Sequence, residues 1–325
     1  MRLLFITVVC LGPWLFAATE KVVAKKMGSR FEVTAVHPDR ATAAAAVAAA
    51  YAEIDRLEAM ISSWRDTSET HRINQAAGRE PVAVSPELYG LIHRSTKISA
   101  LTQGIFDITF AGAGRLWDFK AEQPNLPDPL AVRRKLRLVD YRKIKLNPRE
   151  QSVFLSEPGM RIGFGAIGKG FAANRAVRVM RAHGISSGVV NAGGDLVAFG
   201  TQEDGRPWGV AVADPTAPDR VFAWLRIDNQ AVVTSGDYER FIEVDGKRYS
   251  HILDPRTGFP VHDLRSVTVI CPDGEVADAL ATAVFIMGRT EGLALVNRLK
   301  NVEAFVVTAE GHLLYSDHIQ TQMDF

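Results

Sequence analysis

Cysteine is almost absent: the 325-residue chain has two, Cys10 and Cys271. Two cysteines give no disulfide framework, so hydrophobic packing must hold the fold. An excess of one charge is missing as well. The chain has 38 Lys and Arg against 37 Asp and Glu, a formal net charge of +1, and so lacks the electrostatic footprint of a nucleic-acid binder. There is no internal repeat, and no low-complexity segment beyond an alanine-rich stretch starting at Ala41.

Long apolar runs at the N-terminus are short of a membrane span. Leu3–Phe16 is apolar but falls below the ~20 residues that a helix needs to cross a bilayer. Arg2 precedes it and Ala17-Ala18 follow, the layout of a secretory signal cleaved near Ala18. A retained anchor is the rival reading, opposed by Pro13 and the single flanking charge. A lipoprotein reading through Cys10 is weaker, because Thr7-Val8-Val9 lacks the small residue expected before the lipidated cysteine. The expectation is an exported, periplasmic protein of one domain over residues 19–325, held at the inner membrane if the leader stays. Cleavage removes Arg2 and Cys10, leaving 37 basic and 37 acidic residues and Cys271, read as a buried core residue.

What is present is ordinary globular material, 47% hydrophobic and 23% charged. A strand is expected from Arg30. Residues 41–64 are rich in helix formers and free of Gly and Pro, which predicts a helix with Ile54, Leu57, Met60 and Ile61 on one face. Ser85 is placed to cap a second helix that ends before Gly104. "NLPDP" (125–129) and "LNPRE" (146–150) read as loops. A helix is expected from Lys169 to His183, stopped by Gly184. Then "SSGVVNAGGDLVAFG" gives a strand, a glycine turn and a strand. Short strands follow from Pro207 to Thr268. "EVADALATAVFIMGR" and "EGLALVNRLK" are two further helices, and "VEAFVVTAEGHLLYS" closes as a hairpin. Strands mixed with a few helices, without steady alternation, point to an α+β fold.

The chemistry starts at "IGFGAIGKGF" (162–171). Gly163, Gly165 and Gly168 match the dinucleotide fingerprint, but further strand–helix units are missing downstream. Gly163, Gly168 and Lys169 nearly match a P-loop, yet Gly170 stands where the Mg²⁺-binding hydroxyl belongs. Tight packing by small residues explains the glycines and leaves Lys169 unexplained. The remaining reading is a third kind of cradle, in which a glycine loop and a helix N-terminus with Lys169 face a pyrophosphate. Asp278 and Thr282, spaced i, i+4, put a carboxylate and a hydroxyl on one helix face, a hard-oxygen set suited to Mg²⁺. The rival is a polar stripe on a half-buried helix. "SHILDPRTGFPV" carries His251 and Asp254 before a turn, and "NAGGDL" puts Asn191, Gly193, Gly194 and Asp195 at a strand end.

In this order, "GFGAIGKGFAANRA", "VVNAGGDL", "HILDPRTGFP" and "ADALATAVFIMG" resemble the ApbE family of FAD:protein FMN transferases. "KKMGSRFEV", "ISSWRDTSETHRIN", "GIFDIT" and "GRLWDF" extend the likeness upstream, so that it runs from about Met27 to Ser316. The resemblance implies largely antiparallel sheets with flanking helices and a FAD site between lobes. It implies an exported enzyme that cleaves FAD, passes FMN to a Ser or Thr hydroxyl of a carrier protein and releases AMP. Asp278 and Thr282 match the family's magnesium ligands, with Ala166 giving its carbonyl. Lys169, Ile252, Met27, Trp64, Ile105, Phe106 and Asp107 fall on FAD-contacting positions, with Gly163, Asn191, Gly193, Gly194 and Asp195 in the same motifs. One departure is Gly163, where the family usually has Asp, so a polar contact to the cofactor passes to another group or to water.

His251 and Asp254 are the bases the sequence offers for the acceptor hydroxyl, with Lys169 and the helix end stabilising the phosphates. The family's acceptor sequence, of the Asp-Gly-x-Ser/Thr-Gly-Ala-Thr type, is absent from this chain. The implied partner is therefore another protein, a flavin-bearing subunit of a membrane electron-transport complex or a small exported flavoprotein. Hydrolysis of FAD to FMN and AMP, plain FAD binding and a nicotinamide oxidoreductase are the alternatives.

Overall fold

The computed structural model describes residues 18–214, 217–319 and 322–324. Apart from Ala18, the expected leader with Arg2 and Cys10 lies outside the described residues.

β1 (Ala18–Lys26) and β2 (Ser29–His37) form a hairpin across Met27 and Gly28, both at positive φ (49° and 74°) as a tight two-residue turn requires. α1 (Arg40–Ile61) starts at Asp39, whose carboxylate accepts the amides of Ala41 and Thr42. α2 (Glu69–Gln75), β3 (Val82–Ala83) and α3 (Pro86–Leu101) follow, α3 capped by Ser85 as expected. Next come α4 (Ala111–Gly114), α5 (Pro129–Leu136), β4 (Ile144–Asn147) and β5 (Ser152–Leu155). α6 (Gly168–Ala182) leads into β6 (Ser187–Ala192) and β7 (Asp195–Phe199). Then come β8 (Trp208–Asp214), β9 (Ala217–Ile227), β10 (Ala231–Gly236), β11 (Phe241–Val244) and β12 (Lys247–Ser250). The chain ends with β13 (Leu264–Cys271), α7 (Gly274–Val296), β14 (Glu303–Thr308), β15 (Leu313–Tyr315) and β16 (Gln322–Asp324).

Eight strands make the main sheet, in the order β1-β2-β6-β7-β10-β13-β14-β15. Every pairing within it is antiparallel. The α+β expectation holds, and the dinucleotide-fold alternative fails, because β6 after α6 pairs antiparallel with β2 instead of extending a parallel sheet. One face of the sheet carries α1, α6 and α7. The other carries the β8–β9 hairpin over Val232, Ile270 and Phe305. Neighbours Val233, Val269 and Ala304 point the opposite way, into the helical side, as the period of two demands. Burial on both faces matches the run Ser266–Cys271 of β13, every residue of which is buried and most of which are apolar. Cys271 is buried there, and burial pushes its thiol up to about 12, so it is an inert core residue as expected.

α7 is long and apolar enough to cross a membrane, but it packs against β10 and β13, where residues such as Leu280, Val284 and Phe285 are fully buried. The two helices expected here are separated by Gly288, whose backbone (φ 80°, ψ 178°) leaves the helix while Asp263 accepts the Arg289 amide at 3.0 Å. α6 and α7 cross where Gly170 meets Gly274. A Cβ on Gly170 would sit 2.0 Å from the Gly274 carbonyl oxygen. Gly170→Ala is therefore expected to destabilise by about 3 kcal/mol, since overpacking against backbone outweighs the roughly 1 kcal/mol gain in helix propensity. Urea unfolding checks this; a midpoint equal to or above wild type would show that the crossing can spread.

Candidate active site at the start of helix α6

α6 begins without a side-chain cap. The Gly168 amide closes back on Phe164 O at 2.7 Å, and the Gly170 amide donates to Asp278 Oδ2 on α7 at 3.1 Å. The helix thus offers its N-terminal dipole end beside a buried carboxylate. Lys169 reaches across to β7, its Nζ 3.0 Å from Asp195 Oδ2. Asp195 stands just after the Gly193-Gly194 turn, at φ 65° and 102°, which Asn191 Oδ1 braces by accepting the Gly194 amide. A Cβ on Gly193 would lie 2.7 Å from Ser29 Cβ, so glycine there lets the tips of the β6–β7 and β1–β2 hairpins meet.

Charge is unbalanced in this cluster. Burial raises the pKa of Asp195 against the pull of Lys169. Burial, then repulsion from Asp195, raises that of Asp278 further. Burial works against the Lys169 ammonium, but Asp195, Asp278 and Glu239 outweigh it and push its pKa up. Loss of hydration lifts Glu239 to about 7, opposed mainly by Lys169. One ammonium therefore faces several carboxyl groups, and the buried Asp195 carboxyl meets both Lys169 and the Asp278 carboxyl. Such a surplus of buried oxygen charge fits a hard divalent cation. Among the described residues no three His, Cys, Asp or Glu side chains group as a metal cage. A cation here would therefore take its remaining oxygens from hydroxyl, carbonyl, water or substrate, the habit of Mg²⁺.

His251 lies near enough to Lys169 to feel its charge, and Asp254 follows in the same segment. His251 Nδ1 lies 3.2 Å from Arg240 O, an acceptor only, so Nδ1 bears the proton and Nε2 keeps a free lone pair. Burial lowers the His251 pKa to about 4, with Arg240 and Lys169 adding repulsion, so the ring is neutral at pH 7. Asp254 is committed differently. Both its oxygens hold the Arg256 guanidinium at 2.8–3.0 Å, and Oδ1 also accepts the Arg256 amide. That engagement makes it the brace of the 254–258 turn rather than a free base. Ile252 is buried between them.

The loop before α6 leads away from this cluster towards Gly163 and Trp64. Met27 donates its amide to Glu58 Oε2 at 3.0 Å, and its Cε lies 3.6 Å from where a Gly168 Cβ would be. Ile105 and Phe106 turn their side chains into the core. Asp107 accepts from Thr109 and from the Tyr141 amide at 2.8 Å, which occupies both its oxygens. Contact between a ligand and residues 105–107 therefore falls to their backbone. Sequence reasoning passed over Glu239 and Arg240. Their signal was the charged "DYER" directly after Gly236, inside the stretch read only as short strands.

The model of the ApbE family matches residues 27–306. The chain belongs to the ApbE family. A FAD:protein FMN transferase of Treponema pallidum is 34% identical over 278 residues, covering 81% of this chain and 77% of the relative. One from Klebsiella pneumoniae is 34% identical over 304 residues, covering 89% and 87%. Among solved structures, the ApbE protein of Thermotoga maritima superposes with a TM-score of 0.86 at 29% identity, covering 92% of this chain and 97% of that one. The apo flavinyl transferase ApbE of Pseudomonas stutzeri gives 0.80 at 28% identity, covering 92% and 94%. The ApbE match thus spans the α6 loop, both hairpin tips and α7, all the segments that build the site.

Proposed function

We propose that this chain, a transferase by family, moves FMN from FAD to a Ser or Thr hydroxyl of an exported or membrane-bound flavoprotein and releases AMP. The observation that carries the reading is the bare start of α6, with Lys169, Asp195 and Asp278 converging on it and a neutral His251 facing it. The α6 amides and Lys169 bind the pyrophosphate and hold its charge. Asp278, Thr282 and the Ala166 carbonyl would hold Mg²⁺, with Asp195 setting the local charge. Bound there, it would supply neutralising charge for the pyrophosphate and the leaving AMP. His251 Nε2 takes the proton of the acceptor hydroxyl, whose oxygen bonds to the FMN phosphorus as the bond to AMP breaks. Met27, Trp64, Gly163, Ile252 and the backbone of Ile105, Phe106 and Asp107 line the FAD cleft between the lobes, with Asn191, Gly193 and Gly194 shaping its far rim. The leader places the enzyme in the periplasm, where subunits of membrane electron-transport complexes present the acceptor sequence.

The test incubates residues 19–325 with FAD and Mg²⁺, with and without a peptide bearing the family's acceptor sequence. Expected are AMP and an acceptor heavier by one FMN, both lost with EDTA. AMP and free FMN over an unlabelled acceptor would replace transfer by hydrolysis. Bound FAD without AMP would leave a flavin-binding protein.

A further inference from the structure

Away from the metal-binding end, the cleft has a second charged feature. Trp64 is 74% exposed, and the Arg115 guanidinium carbon lies over it, 4.1 Å from the ring centroid. Arg115 Nη2 donates to Ser63 O at 2.8 Å, which fixes the fork beside the indole. Gly163 lies in the same corner: a Cβ there would be 2.9 Å from Ala111 Cβ and 3.7 Å from Ser63 Oγ. The Gly163 amide bonds to Ile108 O at 3.0 Å, so the 108–114 turn closes over the position and leaves no room for a side chain. Arg115 follows that turn directly. Arg161, two residues before Gly163, has a buried Nε without a hydrogen-bond partner. Desolvation, then the charge of Arg161, lowers the Arg115 pKa, and no carboxylate offsets them.

An exposed indole with a guanidinium fixed on it and a second arginine behind lacks one thing, an acceptor. We infer that Arg115 is a specificity-determining residue, which with Trp64 and Arg161 holds the acceptor edge of a flat heteroaromatic ring at the Gly163 corner. The inference rests on the reading that the cleft takes FAD, whose flavin and adenine both carry such edges. Polarity decides what is recognised. A carboxylate at residue 163 would seek N–H donors on the ring, whereas arginines seek ring nitrogens and carbonyl oxygens. Arg115 is remote from the Lys169–Asp195–Asp278 cluster in chain and in contacts, so its contribution is to binding and leaves the chemical step alone.

The experiment compares wild type, Arg115→Ala and Arg115→Lys. FAD, FMN and ADP are titrated in EDTA by tryptophan fluorescence, and AMP release is measured with Mg²⁺. Arg115→Ala is expected to weaken FAD binding and raise KM about tenfold at unchanged kcat, as loss of a stacked, charge-assisted contact should. Arg115→Lys, which keeps charge without the planar fork, should recover only part of this. Loss for FMN alone, or for ADP alone, names the ring held at this corner. Equal affinity in all three proteins, equal loss for both fragments, or a fall in kcat alone would overturn the inference. A lowered urea midpoint in Arg115→Ala that matches the affinity loss would also overturn it, as a merely structural contact. The family reading fails separately: a wild type that binds FAD but releases no AMP leaves the Arg115 comparison in EDTA fully interpretable.

Discussion

Asp278→Asn is expected to lower AMP release at saturating FAD by about a hundredfold or more, the scale for removing one fixed charge stabiliser of a transition state. The same substitution raises the melting temperature of the metal-free protein at pH 7, and the two effects together make the prediction specific. Asn keeps an oxygen for the Gly170 amide, so the α6–α7 crossing is undisturbed. What disappears is the cost of ionising a buried carboxyl beside Asp195. The sign follows from linkage. The folded state holds the Asp278 proton more tightly than the unfolded chain does, so metal-free stability falls as pH rises from about 4 through the raised folded value. On the proposed function, Mg²⁺ is expected to reverse that loss at pH 7 in wild type, as any ligand of the folded state alone does. In Asp278→Asn the Mg²⁺-dependent rise shrinks or vanishes. Thermal melts with EDTA or Mg²⁺ at pH 5 and pH 7, read beside the rate, check all of this. A variant that is slow and also less stable without metal would mark Asp278 as structural.

Local features of the fold were legible in the residues and long-range ones were not. Ser85 announced α3 because an N-cap acts within three residues, and Gly288 separated two helices because its own φ does. The helix expected over 41–64 stops at Ile61 instead. Ser62 turns extended (φ −60°, ψ 122°), and its Oγ accepts the amides of Trp64 and Arg65 at 3.3 and 3.2 Å, a local competition that puts Trp64 outside the helix and into solvent. No periodicity reports that Gly170 opposes Gly274, about a hundred residues on, or that β2 pairs with β6. The reading of the glycines as packing residues and the reading as a ligand cradle both describe this loop, since Gly170 serves the crossing while Lys169 beside it faces Asp195. Lys169, Asp195 and Asp278 came from three separate motifs, and the antiparallel sheet brings them together. Asp254 shows the opposite case. Spacing cannot reveal that Arg256, two residues on, takes both its oxygens.

With Asp254 engaged, the proposed role of base falls to His251, and on that proposal His251→Asn is expected to lower acceptor flavinylation by about 10²–10⁴-fold while FAD affinity stays near wild type, the range for removing a positioned general base. The geometry sets the protonation state of this imidazole. Arg240 O holds the proton on Nδ1, the Phe119 ring meets the imidazole edge-on at 6.4 Å, and the nearby charges of Arg240 and Lys169 keep a second proton off. With the pKa held down to about 4, the neutral ring with Nε2 unprotonated is the form expected at pH 7. In the free enzyme the His251 ring should titrate near 4, well below the value of about 6.5 for an imidazole in water. Below that pH the second proton blocks Nε2 and transfer is lost; above it the base is always present. Titration of the ring carbons by NMR, assigned with His251→Asn, measures this directly. A His251 signal that titrates near 6.5 would mean a solvated ring, and full flavinylation by His251→Asn would mean that the acceptor hydroxyl loses its proton elsewhere. Because wild-type FAD binding does not need the base, retained affinity in the variant separates a chemical defect from a collapsed cleft.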